Sequence, residues 1–183
     1  MAMEYLPEGD LKGRLKKGLP LSEGINIIKA IATGLDYAHK KNFIHRDIKP
    51  ENILFRDDGS PVISDFGIAR NTESETRMTM TGTVIGSPHY MSPEQAEAAH
   101  LDGRTDLYSL GIIFYEMLSG AVPFSGESAI SIGIKHITAQ LPPLPAEMRE
   151  FQEFIDITLS LPQILQYLSA ASAMMISLSK PRS

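Results

Sequence analysis

The 183-residue sequence predicts an α+β protein, mostly helical, with one small β-hairpin. Three observations predict this class. Ile25, Ile28, Ala32 and Leu35 recur at the spacing of a helix that buries one face. Residues 105–119 carry Leu107, Leu110, Ile112, Ile113, Phe114, Met117 and Leu118, apolar on most sides, as in a helix at the centre of a core. Ile53-Leu54-Phe55 and Val62-Ile63 flank Asp57-Asp58-Gly59, the pattern of two short strands around a turn.

The elements follow in order. Residues 1–6 are apolar enough to finish a strand, and Pro7-Glu8-Gly9 is a turn. Asp10 is placed to cap a short helix through Lys17, because its carboxylate can accept the free N–H groups of a first turn. Ser22 is the expected cap of the next helix, which should end near Lys41. A polar loop, residues 45–52, precedes the hairpin. Residues 65–94 form a long stretch rich in Thr, Ser, Gly and Met, of a length that usually serves function. Gly120 should end the central helix, since glycine tolerates the left-handed residue that closes a helix. A helix is expected over residues 128–137, a loop over the prolines of residues 141–145, and a final helix from about Glu147 to Ser160.

Composition narrows the function classes. The net charge is -5 and the pI about 5.5, which argues against a nucleic-acid or anionic-membrane binder, since phosphate attracts basic surfaces. There is no cysteine, so disulfides, thiolate chemistry and cysteine-bound zinc are excluded, and a cytoplasmic location is expected. Residues 1–9 lack the basic start and apolar run of a signal peptide. The apolar run at residues 164–178 is shorter than the ~18–20 residues of a membrane span. The basic run from Lys12 to Lys17 is expected to be a solvated helix face. His39, His89, His100 and His136 show no metal-ligand spacing and are expected on the surface or in the core.

Two segments carry candidate chemistry. Phosphoryl transfer asks for positioning, bound metal and a group that receives the hydroxyl proton. Asp47 and Asn52, five residues apart in a loop, can offer a carboxylate to a hydroxyl and an amide oxygen to Mg²⁺, which prefers hard oxygen ligands. Lys49 between them can neutralise a moving phosphoryl group. Asp65, in Asp65-Phe66-Gly67 directly after the second strand, can bind metal, and Gly67 lets the backbone turn.

His45-Arg46-Asp47, Lys49, Asn52, Asp65-Phe66-Gly67, Ser92-Pro93-Glu94 and the helix from Asp106 to Gly111 stand in the order and spacing of the protein kinase signature. The chain therefore resembles the C-terminal lobe of a serine/threonine protein kinase, most of all the bacterial (Hanks-type) members, over roughly residues 1–155. The wording Asp-Ile-Lys-Pro-Glu-Asn at 47–52 and Lys49 itself carry the serine/threonine assignment. Residues 156–183 then read as a divergent apolar tail, frameshifted or poorly ordered.

The resemblance implies ATP- and Mg²⁺-dependent phosphorylation of protein Ser or Thr. It makes Asp47 the base, Lys49 the phosphate contact, and Asn52 and Asp65 the metal ligands. Met3 becomes the gatekeeper, with Glu4 and Leu6 at the adenine edge, Leu54 on its face and Asp10 at the ribose. His45 and Phe66 are structural. Asp106 holds the catalytic loop from below, and Ser87 lines the pocket for the residue after the target hydroxyl. Arg46 pairs with a phosphate on the activation loop, where Thr79 and Thr81 are the sites. Glu94 is the family's partner for an arginine, yet no arginine follows Arg149 until Arg182, so Glu94 is expected to lack that partner.

Neither Gly-x-Gly-x-x-Gly nor a Val-Ala-Ile-Lys-like strand occurs in the sequence. The N-lobe is thus expected to be absent and the chain weak or inactive alone, with a partner kinase supplying what is missing. A pseudokinase-like interaction fragment is the alternative reading. An aminoglycoside-type phosphotransferase shares the Asp…Asn spacing but not the long segment ending in Ser92-Pro93-Glu94.

Overall fold

The computed structural model describes Leu6, residues 8–65 and residues 87–160. Within them run helices α1 (Leu11–Lys17) and α2 (Leu21–His39), strands β1 (Ile53–Phe55) and β2 (Pro61–Ile63), then α3 (Pro93–Ala96), α4 (Gly103–Ser119), α5 (Ala129–Thr138) and α6 (Gln152–Leu159). Short 3-10 segments lie at Pro50–Asn52, Pro88–Tyr90 and Ala146–Phe151. The strands pair antiparallel, with Ile53 opposite Ile63 and Phe55 opposite Pro61. The expected class, helical with one hairpin, is what forms.

Local chemistry sets the ends of the helices. Asp10 caps α1, its Oδ1 accepting from Gly13 N at 2.7 Å. Ser22 does not cap α2. The helix starts at Leu21, two residues before a Ser22 cap would set it, after Pro20, whose fixed φ and missing N–H suit a helix start, and it stops at His39 instead of Lys41. Ser92 and Gln95 form a reciprocal capping box on α3. Gly120 closes α4 at φ 80°, the left-handed position anticipated for it. The final helix is split: residues from Ala146 wind as a 3-10 segment before α6 begins at Gln152.

α4 is the axis of the core. Ile112 and Ile113 are fully buried, and Ile27, Ile28, Ile31 and Leu35 from α2 pack in the same cluster. Phe114 meets Phe151 and Phe154 edge to face. α6 approaches α4 closely at Gly111, where an added Cβ would lie 2.7 Å from Thr158 Cγ2. Only glycine admits that approach. The basic face of α1 is not simply solvated: Lys12 Nζ reaches Glu116 Oε1 at 3.0 Å and Tyr90 Oη at 2.9 Å, tying α1 to α4.

His136 is a core residue, 5% exposed, with Nδ1 hydrogen-bonded to Tyr108 Oη at 2.9 Å and Phe124 against its ring. Burial pushes its pKa from 6.5 down to about 4, so the fold holds it neutral. The unfolded chain takes up that proton first as pH falls. Stability from this group is therefore complete above about pH 6.5 and is lost as pH drops from there towards 4, by roughly 3 kcal/mol in all. Urea midpoints at pH 7 and pH 5 should show the drop, and His136→Gln should flatten it. An equal drop in that variant would place the effect elsewhere.

Candidate active site

The loop at residues 45–52 has no regular secondary structure before its terminal 3-10 turn, so side chains must hold its backbone. Asp106, fully buried on α4, does this from one side. Its Oδ2 accepts from His45 N at 2.8 Å and its Oδ1 from Arg46 N at 2.7 Å. His39, at the end of α2, brings Nε2 to the same Oδ2 at 2.8 Å. A buried carboxylate with these partners replaces the water it gave up.

His45 is 1% exposed and works through both ring nitrogens. Nε2 lies 2.8 Å from the Ser64 carbonyl, which can only accept, so Nε2 carries the proton. Nδ1 then accepts from Asp47 N at 3.3 Å. Ser64 N in turn donates to the Asn52 carbonyl at 2.9 Å. The hairpin thus sets the end of the loop beside the residue preceding Asp65.

At the centre, Asp47, Lys49 and Asn52 converge. Asp47 Oδ2 receives Lys49 Nζ at 2.8 Å and Asn52 Nδ2 at 3.2 Å. Asn52 Nδ2 also donates to the Asp47 carbonyl at 2.8 Å. A carbonyl accepts only, so this bond fixes the amide orientation and leaves Asn52 Oδ1 as the free acceptor. Asp65 is exposed and holds φ at 57°, and Arg46 holds φ at 67°. Two non-glycine residues in the left-handed region, both in this site, are strain that the surrounding bonds must sustain.

The other candidates lie as follows. Leu54 faces away from the core-buried Ile53 and Phe55 and bridges Asp10 across the chain. Leu6 is half-buried. Ser87 opens the segment that leads through Tyr90 to α3. Glu94 Oε1 accepts from Thr105 Oγ1 at 2.6 Å, while its Oε2 is buried without a partner among the described residues. Arg46 Nε is in the same state. Met3, Glu4, Phe66, Gly67, Thr79 and Thr81 lie outside the described residues, as does the run at 164–178.

Sequence reasoning gave no role here to His39, Ser64, Gln95 or Thr105. Only Gln95 left a local signal, the Ser-x-x-Gln spacing of a capping box at residues 92–95. His39 is guarded by Gly103, since a Cβ there would sit 2.7 Å from the imidazole Nδ1.

An oxygen-ligated cation suits the donors present. Asn52 Oδ1 and the exposed Asp65 carboxylate are hard oxygen ligands, and Mg²⁺ is commonly held by one or two such groups together with phosphate oxygens and water. No group of three or more His, Cys, Asp or Glu among the described residues is placed to hold a metal alone. No helix among them is long and apolar enough to cross a membrane.

The described residues thus bring together a loop pinned by a buried aspartate, an Asp–Lys–Asn centre and an aspartate after a hairpin. The model of the protein kinase domain family matches residues 1–173. A probable serine/threonine-protein kinase of Clostridium perfringens is 46% identical over 146 residues, covering 78% of this chain and 21% of that protein. Serine/threonine-protein kinase PrkC of Bacillus subtilis is 43% identical over 144 residues, covering 78% of this chain and 22% of PrkC. Serine/threonine-protein kinase PknL of Mycobacterium tuberculosis is 38% identical over 144 residues, covering 78% of this chain and 36% of PknL. The chain belongs to the protein kinase family and resembles its bacterial serine/threonine members. It spans about a fifth of the length of the first two of these relatives.

Proposed function

We propose that these residues form the acceptor and metal side of a protein serine/threonine kinase site, which transfers the γ-phosphoryl group of ATP to a protein hydroxyl. The observation that carries this is the state of the Asp47 carboxylate. Lys49 and Asn52 both engage Oδ2, and no described residue donates to Oδ1. Oδ1 is therefore the acceptor for the proton of an incoming Ser or Thr hydroxyl. Lys49, already beside Asp47, is within reach of the transferred group. Asn52 Oδ1 and Asp65 would hold Mg²⁺, which when bound neutralises phosphate charge.

In the same reading, Leu54 and Leu6, with Met3 and Glu4, meet the adenine. Asp10 reaches the ribose through the oxygen its cap leaves free. Ser87 meets the residue after the target hydroxyl. Arg46 Nε has no partner among the described residues, which supports pairing with an anion, and a phosphate on Thr79 or Thr81 would supply one. Residues 1–155 act as the kinase unit; the boundary expected at residue 156 falls inside α6, whose Thr158 lies against Gly111 of α4, and residues 161–183 lie outside the described residues. The absence of cysteine suits work in a reducing cytoplasm.

Catalysis also needs donors over the β- and γ-phosphates, and the 183 residues contain no glycine-rich loop or paired lysine to provide them. Such donors would have to come from outside these 183 residues. With labelled ATP, Mg²⁺ and a generic acceptor protein, the 183-residue polypeptide is expected to transfer no more phosphate than its Asp47→Asn variant. Transfer that depends on Asp47 would overturn this insufficiency. The site itself is tested separately. Mn²⁺ with ADP should broaden the NMR signals of Asn52 and Asp65, and Asn52→Ala should weaken the effect. No broadening at either residue would overturn the metal assignment.

A further inference from the structure

Gln95 is 8% exposed on α3 and uses both ends of its amide. Oε1 accepts from Ser92 N at 3.0 Å, which completes the capping box. Nε2 reaches away from its own helix and donates to the Arg46 carbonyl at 2.8 Å. That carbonyl shares a rigid peptide plane with Asp47 N, and Asp47 N donates to His45 Nδ1. One plane is thus held at its oxygen by Gln95 and at its hydrogen by His45. The plane before it is held at Arg46 N by Asp106.

Between these planes Arg46 stands at φ 67°, a conformation an L-residue leaves unless its surroundings enforce it. Asp106 alone cannot enforce it, because the N–H it binds fixes only the first plane. The second plane carries the Asp47 Cα and so the direction of its carboxylate. We propose, resting on the reading of Asp47 as the base, that Gln95 is a positioning residue. It aims Asp47 by locking the Arg46–Asp47 peptide. Because Gln95 belongs to the helix that follows Ser87, Pro88–Tyr90 and Ser92, it also couples the proposed acceptor-binding segment to the base. A shift of that segment reaches Asp47 through one hydrogen bond.

Gln95→Glu separates this role from helix capping. Glutamate keeps an acceptor for Ser92 N but turns an oxygen, not an N–H, towards the Arg46 carbonyl. In the wild-type chain, NMR should detect a coupling across the hydrogen bond from Gln95 Nε2 to the Arg46 carbonyl carbon. In Gln95→Glu the Arg46 carbonyl signal should move upfield and the Asp47 carboxyl carbon signal should shift, while the Ser92 amide signal stays in place. A wild-type chain without the coupling overturns the proposal, whether or not the variant folds. So does a folded variant with unchanged Arg46 and Asp47 signals. Both readouts are independent of nucleotide. A lost Mn²⁺·ADP effect with an intact Gln95–Arg46 coupling would therefore count against the kinase reading and not against this bond.

Discussion

Asp106→Ala is expected to lower the stability of the fold by roughly 4 kcal/mol. The carboxylate is fully buried and accepts from His45 N, Arg46 N and the His39 imidazole. Alanine leaves all of these without an acceptor, and each buried orphaned donor costs about 1–3 kcal/mol. The gain from removing a buried charge offsets part of this, because that charge was itself desolvated. For a domain of this size, the loss corresponds to a fall of about 10 °C in Tm, read by thermal unfolding. Asp106→Asn should fall between the two, since it keeps one acceptor but turns an NH₂ towards donors. A Tm within about 2 °C of wild type for the alanine variant would mean that the loop is held by other contacts.

Phe55→Ala should cost about 3–5 kcal/mol, the range for truncating a buried aromatic. Phe55 is fully buried on β1, and the Arg14 guanidinium carbon lies 3.5 Å from its ring centroid. Arg14 in turn pairs with Glu23 at 2.9 Å, so the ring orders a contact between α1 and α2 as well as filling space. Phe55 N also donates to the Gly9 carbonyl at 3.1 Å, a bond that truncation leaves in place. Urea titration should show a lower midpoint at an unchanged slope. Phe55→Leu should recover most of the loss, and what remains should include the cation–π part, about 0.5–1 kcal/mol. If leucine and alanine behave alike, the ring's contact with Arg14 and not its volume is what matters.

The parts of this molecule that the sequence disclosed are those written in local spacing. The hairpin follows from two short apolar runs around Asp57-Asp58-Gly59, and the α4 terminus from Gly120. Asp10 sits where a short polar side chain can reach the N–H groups of a first turn. The error at Ser22 has the same origin. Serine is a good cap, but Pro20 already supplies a helix start, and the chain uses the earlier one. What stayed hidden depends on residues far apart in the chain. His39 meets Asp106 across 67 positions, Lys12 meets Glu116 across 104, and Gln95 meets Arg46 across 49. No periodicity encodes such pairs, because they exist only once elements far apart in the chain have packed together. The order of the motifs made Asp47, Asn52 and Asp65 candidates. Only the geometry shows that the Asn52 amide is oriented by Asp47 and that His45 carries its proton on Nε2.

The bonds around Arg46 close on themselves. The loop is tied to Asp106, Asp106 adjoins Thr105, Thr105 is bonded to Glu94, and Glu94 adjoins Gln95, which returns to the loop. In a ring of this kind no link opens by itself. Freeing the His45 and Arg46 amides means lifting the loop off α3 and α4 together, with the α4 core exposed. A stretch that has no helix or strand of its own thereby joins the cooperative unit that opens last, and its amides exchange with solvent at the pace of the core.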